Sequence, residues 1–213
     1  MTSLTPACQN TISLKTVSGP DLLPYIEQIA QLRIQIFRAF PYLYEGSLAY
    51  EQKYLQRYLD ASHAAAILAF DGEQLVGAST CLPMSQEDEA FKQPFIESGY
   101  PIERLFYFAE SVLDARFRGQ GIGQRFFTER EKFMRSVGNF QWATFCAVDR
   151  GINHPQQPQN YRPLDPLWHK NGFVKTHLTT HYAWQDIGES NETSKPMIFW
   201  IKEFPKSASV FID

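Results

Sequence analysis

Residues 118–123 read Arg118-Gly119-Gln120-Gly121-Ile122-Gly123, so three glycines occupy five consecutive positions. This stretch follows an apolar run typical of a buried strand, residues 105–113, and opens a run with apolar residues at helical spacing. Glycine lets a ligand approach the backbone closely, and the start of a helix presents free N–H groups to an anion. The stretch therefore predicts a phosphate-binding turn between a strand and a helix.

Two common phosphate motifs do not fit this turn. The P-loop ends in Gly-Lys followed by Ser or Thr, and the chain contains no Gly-Lys pair. The dinucleotide-binding motif needs a third glycine where this chain has Gln124 or Phe126, depending on the starting glycine. The pattern that fits is Arg-x-x-Gly-x-Gly, formed by Arg118, Gly121 and Gly123.

The rest of the chain alternates between strand-like and helix-like patterns. Seven runs predict strands, namely residues 12–17, 64–70, 74–82, 105–113, 142–148, 174–185 and 196–204. Helical spacing predicts four or five helices, and in the first of them Arg33 interrupts the apolar positions. These patterns indicate a mixed α/β fold.

Composition restricts the class of protein further. With 213 residues and 44% hydrophobic content, the chain suits one packed domain, residues 1–213. A net charge of −3 argues against a nucleic-acid partner. Three widely spaced cysteines favour neither disulfides nor zinc, and His177 and His181 have no third ligand nearby, so we expect no metal. There is no signal peptide pattern and no apolar run long enough to span a membrane, so we expect a cytoplasmic protein without a membrane partner.

The glycine pattern resembles the CoA-pyrophosphate signature of the GNAT family of acyl-CoA-dependent N-acyltransferases. Residues 167–173, Leu-Trp-His-Lys-Asn-Gly-Phe, are similar to the aromatic segment ending in Gly-Phe near the C-terminus of that family. The resemblance covers residues 12–204, including the order of elements. It implies a GNAT fold with a mixed central sheet whose strands 105–113 and 142–148 splay apart. Homodimers are common in the family.

The resemblance implies acetyl-CoA (coenzyme A) as the cofactor. Arg116, Arg118 and Arg125 supply local positive charge for its phosphates in a chain that is acidic overall. The main chain before the loop would pair with the pantetheine arm of CoA. The residues expected to bind it are Leu113, Asp114, Arg118, Gly119, Gln120, Gly121, Ile122, Gly123 and Gln124.

Acyl transfer to an amine needs a base, because an ammonium group with a pKa of about 10.4 is almost fully protonated at neutral pH. Several family members use a glutamate on the strand before the glycine loop, and Glu110 occupies that place; the alternative is a salt bridge to an arginine. The tyrosine that the family often uses as an acid corresponds to Trp168. Tyr161 and His169 are candidate substitutes, although a thiolate can also leave unassisted.

The acceptor site is expected in the loop between the first two helices. There Tyr42 and Tyr44 could bind an amine by cation–π contact, and Glu45 by its charge, with Trp168 as a further contact. The same tyrosines could instead serve only packing. We therefore expect an acetyltransferase that moves the acetyl group of acetyl-CoA directly to a small-molecule or protein amine. A non-catalytic CoA-binding or regulatory module and a transferase using another acyl-CoA, such as succinyl-CoA, remain alternatives.

Overall fold

The structure is a computed structural model that describes residues 12–205. Its sheet has eight strands: β1 Ser13–Val17, β2 Ala65–Asp71, β3 Gln74–Pro83, β4 Leu105–Tyr107, β5 Ser111–Leu113, β6 Trp142–Val148, β7 Val174–Trp184 and β8 Thr193–Glu203. Its α-helices are α1 Ile26–Phe37, α2 Leu48–Asp60, α3 Glu89–Glu97, α4 Ile122–Val137 and α5 Asp165–Lys170. The predicted mixed α/β fold is confirmed.

The strands follow the order β1-β2-β3-β4-β6-β8-β7, and β5 pairs with β3 beside β4. All pairs are antiparallel except β4 with β6, which is parallel. A parallel pair needs a crossover connection, and α4 provides it. The glycine-rich stretch therefore lies at the beginning of the only crossover between parallel neighbours in the described sheet.

The prediction of a single strand over residues 105–113 is wrong, because a β-bulge divides this segment into β4 and β5. The N–H of Ala109 donates to the Thr80 carbonyl (3.1 Å), and the Glu110 carbonyl accepts from the Thr80 N–H (3.0 Å). Ala109 and Glu110 thus lie opposite the single residue Thr80. This extra residue shifts the register of the strand. Before the bulge β4 pairs with both β3 and β6, whereas β5 pairs with β3 alone. The predicted divergence from the strand at residues 142–148 is confirmed.

The sheet is buried on both faces. Along β2 the side chains alternate, so that Ala66 and Leu68 join one apolar layer and Ala65 and Ile67 join the other. The first layer packs against α1, α2 and α3, and the second against α4 and α5. No helix within residues 12–205 combines the length and apolar composition needed to cross a bilayer.

The loop between α1 and α2 is bonded to the hairpin between β7 and β8. The N–H of Glu45 donates to the Gln185 carbonyl (2.8 Å), and the N–H of Ile187 donates to the Leu43 carbonyl (2.7 Å). The indole N–H of Trp184 donates to the Tyr42 carbonyl (2.9 Å). The two segments therefore form one continuous wall at the end of the sheet.

A buried ion cluster fixes this wall. Asp186 accepts from two guanidinium nitrogens of Arg150 (2.6 and 2.9 Å), and its Oδ1 lies 3.3 Å from Nζ of Lys195. Arg150 also donates to the carbonyls of Pro41 and Tyr42 in the loop. Because each of the three charged side chains is less than 10% exposed, none is screened well by water.

We expect Asp186→Asn to lower the free energy of unfolding by about 3–5 kcal/mol, because it leaves the buried Arg150 without its anion and takes from Lys195 one of its two anions, the other being Glu189. Asp88→Asn is the matched control. Asp88 pairs with Arg57 at 2.8 Å but is 57% exposed, so we expect a loss below about 1 kcal/mol. Urea unfolding of both variants measures the difference, and equal losses would contradict a structural role for the cluster.

Candidate functional site

The glycine-rich loop faces open space. Gly119 and Gly121 have φ angles of +77° and +78°, which side-chain-bearing residues rarely adopt. A Cβ built at either glycine meets no atom within 4 Å. The loop is thus shaped by backbone conformation and not by close packing, and its outer side has room for a ligand.

The same loop presents a row of free N–H groups. The amides of residues 119–124 donate no hydrogen bond to any group within residues 12–205. Nearby, Arg116 is bound to Asp114 (2.6 Å) and Arg125 donates to the Ile12 carbonyl (2.9 Å), whereas Arg118 has no ion pair in the described part of the chain. Free amides at a helix start together with an unpaired guanidinium make a site for a phosphate group.

Two residues predicted to bind CoA, Gln124 and Asp114, form hydrogen bonds within the protein instead. The side chain of Gln124 donates to Asn171 at the end of α5, which joins the loop to that helix. The main chain of Asp114 is engaged, because its N–H donates to Val76 (2.9 Å) and its carbonyl accepts from Phe117 (3.0 Å). Its carboxylate accepts from the Arg116 N–H (2.9 Å). CoA contacts by Gln124 and Asp114 stay predictions.

One edge of β5 is free. Glu110, Val112 and Asp114 face β3 in the antiparallel ladder, so the N–H and C=O groups of Ser111 and Leu113 point away from it. These groups face the gap where β6 would continue the sheet. An extended ligand arm can pair there, between the loop and the bulge.

A cavity of about 100 Å³ opens beside the bulge, on the face that carries α1 and α2. Ala109, Glu110 and Cys146 line it where β5 and β6 diverge. Nine of its lining side chains are aromatic, Tyr42 and Tyr44 among them. Glu45 does not line it, and its carboxylate instead pairs with Arg38 (2.8 Å) on the surface.

Glu110 is held by an ion pair. Its carboxylate contacts Arg33, which also binds the fully buried Glu51. Its other oxygen accepts from the Tyr54 hydroxyl (3.1 Å), and the Arg33 guanidinium lies 4.3 Å from the Tyr54 ring centre. The salt bridge considered as an alternative is therefore present, and a catalytic role for Glu110 stays a prediction. Arg33 could have been suspected from the sequence, because it interrupts the apolar face of the first helix.

Glu87 also lines the cavity, and the sequence patterns did not indicate it. Its Oε2 accepts from Arg57 (2.9 Å) and from the N–H of Asp88 (3.1 Å). Its Oε1 is buried and has no hydrogen-bond partner within residues 12–205. Burial raises the pKa of Glu87 to about 7, although the Arg57 guanidinium acts in the opposite direction. This carboxyl group is therefore fixed through one oxygen, while the other is buried without a hydrogen-bond partner.

Cys146 lies in the cavity as a neutral thiol. Its Sγ is 3.1 Å from the Tyr107 hydroxyl, and burial raises the pKa of the thiol to about 12. A thiol with this pKa is protonated at neutral pH and is a weak nucleophile. The cysteine thus contributes shape and polarity beside the gap between β5 and β6.

The structure places the candidate acids outside this cavity. Tyr161 lines a second cavity of about 160 Å³ and packs against Phe40 (ring centres 4.7 Å apart). His169 is exposed beside Trp200, and Trp168 packs in the α4 layer against Phe145 (5.1 Å). None of the three lines the first cavity, so their catalytic or substrate-binding roles stay predictions.

Comparison with known proteins adds evidence at the level of the fold. No family model matches the chain, and no curated protein sequence does. Solved structures do match it. NAA60 of Arabidopsis thaliana in complex with acetyl-CoA has a TM-score of 0.59 at 17% identity, over 91% of this chain and 99% of that one.

Two bacterial structures match over similar lengths. The ribosomal-protein-alanine N-acetyltransferase of Brucella melitensis has a TM-score of 0.56 at 14% identity, covering 90% of this chain and 99% of its own. An acetyltransferase of the GNAT family from Streptococcus pneumoniae has a TM-score of 0.55 at 12% identity, covering 92% of this chain and 100% of its own.

The described chain is a mixed α/β protein with a divided central strand and a row of free backbone amides at the start of its crossover helix. Together with the structural matches, this shows that it has the GNAT fold.

The raised pKa of Glu87 predicts how the free energy of unfolding depends on pH. The buried carboxyl favours folding when protonated, so this contribution is complete below pH 4.5 and is lost as the pH rises through about 7. Relative to Glu87→Gln, which stays neutral, we expect the free energy of unfolding to fall by on the order of 3 kcal/mol across this window. Urea unfolding at pH 4.5 to 8 measures it, and a difference independent of pH would contradict the assignment.

Proposed function

We propose that this protein is an N-acetyltransferase that moves the acetyl group of acetyl-CoA directly to a primary amine. One observation carries the proposal: the free amides of residues 119–124, the free edge of β5 and the cavity beside Glu110 follow one another in this order along the end of the divided strand and the loop after it. The fold supports it, since the matching structures are acetyltransferases and one holds acetyl-CoA.

The donor would lie on the loop side of the bulge. Residues 119–124 and Arg118 would bind the pyrophosphate of CoA, and Ser111 and Leu113 would pair with its pantetheine arm. CoA supplies an acyl group activated as a thioester. The edge of β5 would direct that group to the gap beside Ala109 and Cys146.

The acceptor would enter from the aromatic side of the cavity. The amine nitrogen forms a bond to the acyl carbon, the bond between that carbon and sulfur breaks, and the electron pair leaves with sulfur. An ammonium loses two protons on its way to the amide. We assign the first, lost before attack, to Glu110, which gives up its contact with Tyr54 or Arg33 to accept it; the second leaves the nitrogen for solvent after the carbon–nitrogen bond has formed. A thiol has a pKa of about 8.5, so the thiolate can leave and take its proton from solvent.

A CoA-binding module without turnover is the second candidate function. The contacts of Arg33 and Tyr54 with both oxygens of Glu110 favour it, because they compete with proton transfer. Measuring CoA binding and turnover separately distinguishes the two functions.

We expect Gly121→Glu to abolish acetyl-CoA binding, because it places a carboxylate where the phosphate would bind. Gly99→Glu is the matched control: Gly99 also has a φ of +78° and open space around its Cβ, but lies after α3. Both variants carry the same backbone strain. Calorimetric titration should show lost binding in the first only, and equal affinity in both would refute the donor site.

We expect Glu110→Gln to lower kcat by about 100-fold or more, because the amide cannot accept the proton. Glu131→Gln is the control, since it breaks a comparable ion pair with Lys202 (2.6 Å) away from the cavity. Steady-state rates from pH 5 to 9 measure the effect. A Glu110 variant with full activity would remove this residue from the mechanism.

A further inference from the structure

The cavity is closed toward the β7–β8 hairpin. The hydrogen bonds of Leu43 and Glu45 with the hairpin occupy the edge along which an extended peptide could otherwise pair. The Arg150–Asp186 pair and the Trp184 indole hold the same loop in place. A polypeptide acceptor therefore has no free backbone edge on this side of the cavity.

The size of the cavity limits what it can hold. Its volume of about 100 Å³ is of the same order as the roughly 150 Å³ cavity that accepts one benzene molecule. Nine aromatic side chains line it, including Tyr54, Phe91 and Trp184. Aromatic faces attract both apolar groups and cations, so this lining suits an amine with one ring or a short apolar chain.

Three lining carboxylates each carry an oxygen without a hydrogen-bond donor among residues 12–205, and Glu87 is the one that lies outside the Arg33 cluster. Arg33 binds both Glu51 and Glu110. Of the two carboxylate oxygens of Glu87, Arg57 contacts Oε2 and not Oε1. Glu87 is 5% exposed and its Oε1 has no donor in the described part of the chain. A buried acceptor without a donor is costly, and a ligand that donates hydrogen bonds there removes the cost.

We propose that the acceptor is a small primary amine carrying one ring or a short apolar chain, and that its ammonium group donates to Oε1 of Glu87. This inference rests on the proposed acetyltransferase function and specifies the acceptor. Glu87 binds the entering ammonium, and Glu110, which lines the same cavity, takes the proton that this ammonium loses before attack.

Ligand-observed NMR titration in the presence of CoA tests the inference without requiring turnover. The probes are 2-phenylethylamine, its uncharged analogue 2-phenylethanol, spermidine and a tetrapeptide with a free N-terminus. We expect 2-phenylethylamine to bind at least tenfold more tightly than each of the others. Tighter binding of the tetrapeptide or spermidine, or no binding of 2-phenylethylamine, would overturn the inference.

Two variants locate the interaction. We expect Glu87→Gln to weaken 2-phenylethylamine binding at least tenfold and to leave 2-phenylethanol unchanged, and Glu131→Gln to change neither. Tyr50→Ala removes a 37% exposed lining ring with little risk to folding, and should weaken both probes several-fold. Unchanged amine affinity in Glu87→Gln would overturn the assignment of Glu87.

The same experiments give different results if the small-amine acceptor is wrong and if the acetyltransferase function is wrong. Acetyl-CoA binding with acetylation of the tetrapeptide alone would keep the acetyltransferase and overturn the small-amine acceptor. Amine binding that depends on Glu87, without acetyl transfer to any probe, would keep the amine site and overturn the transferase.

Discussion

The bulge formed by Ala109 and Glu110 opposite Thr80 is the constraint on which both halves of the candidate site depend. A regular strand here would pair with β3 and β6 along its whole length and leave no free backbone edge. The extra residue ends the pairing with β6 and leaves β5 attached to β3 alone. The gap beside β5 and the cavity beside Glu110, to which we assign the donor and the acceptor, both begin where this pairing stops.

The Glu110 carboxylate brings a charge into the apolar layer beside the bulge, and Arg33 offsets part of that cost. Its guanidinium joins Glu51 of α2 to Glu110 at the bulge, so one buried cation connects α1, α2 and the divided strand. Burying a charge is unfavourable unless partners surround it, and removal of one partner affects the others. The position of Glu110 is therefore set by two helices as well as by its own strand.

The glycine-rich loop was predictable because its information is local: the glycines determine the backbone and the helix supplies the N–H groups. The order of elements followed from apolar periodicity. The bulge was not predictable, because residues 105–113 are apolar throughout and the register shift depends on Thr80 in another strand. Glu87 lies in a polar segment without a motif, and its burial arises from packing. Tyr161 and His169 are near Trp168 in sequence, but Tyr161 packs against Phe40 at the second cavity and His169 lies beside Trp200.

The alternation of side chains along β2 and its neighbours gives each face of the sheet its own apolar layer. The loop that would hold the donor is attached to one layer, and the acceptor cavity to the other. Substitutions among the rings of the cavity can therefore accumulate while the packing beneath α4 stays intact. Evolution, or a designer, could retune the proposed amine site on such a scaffold without rebuilding the proposed donor site.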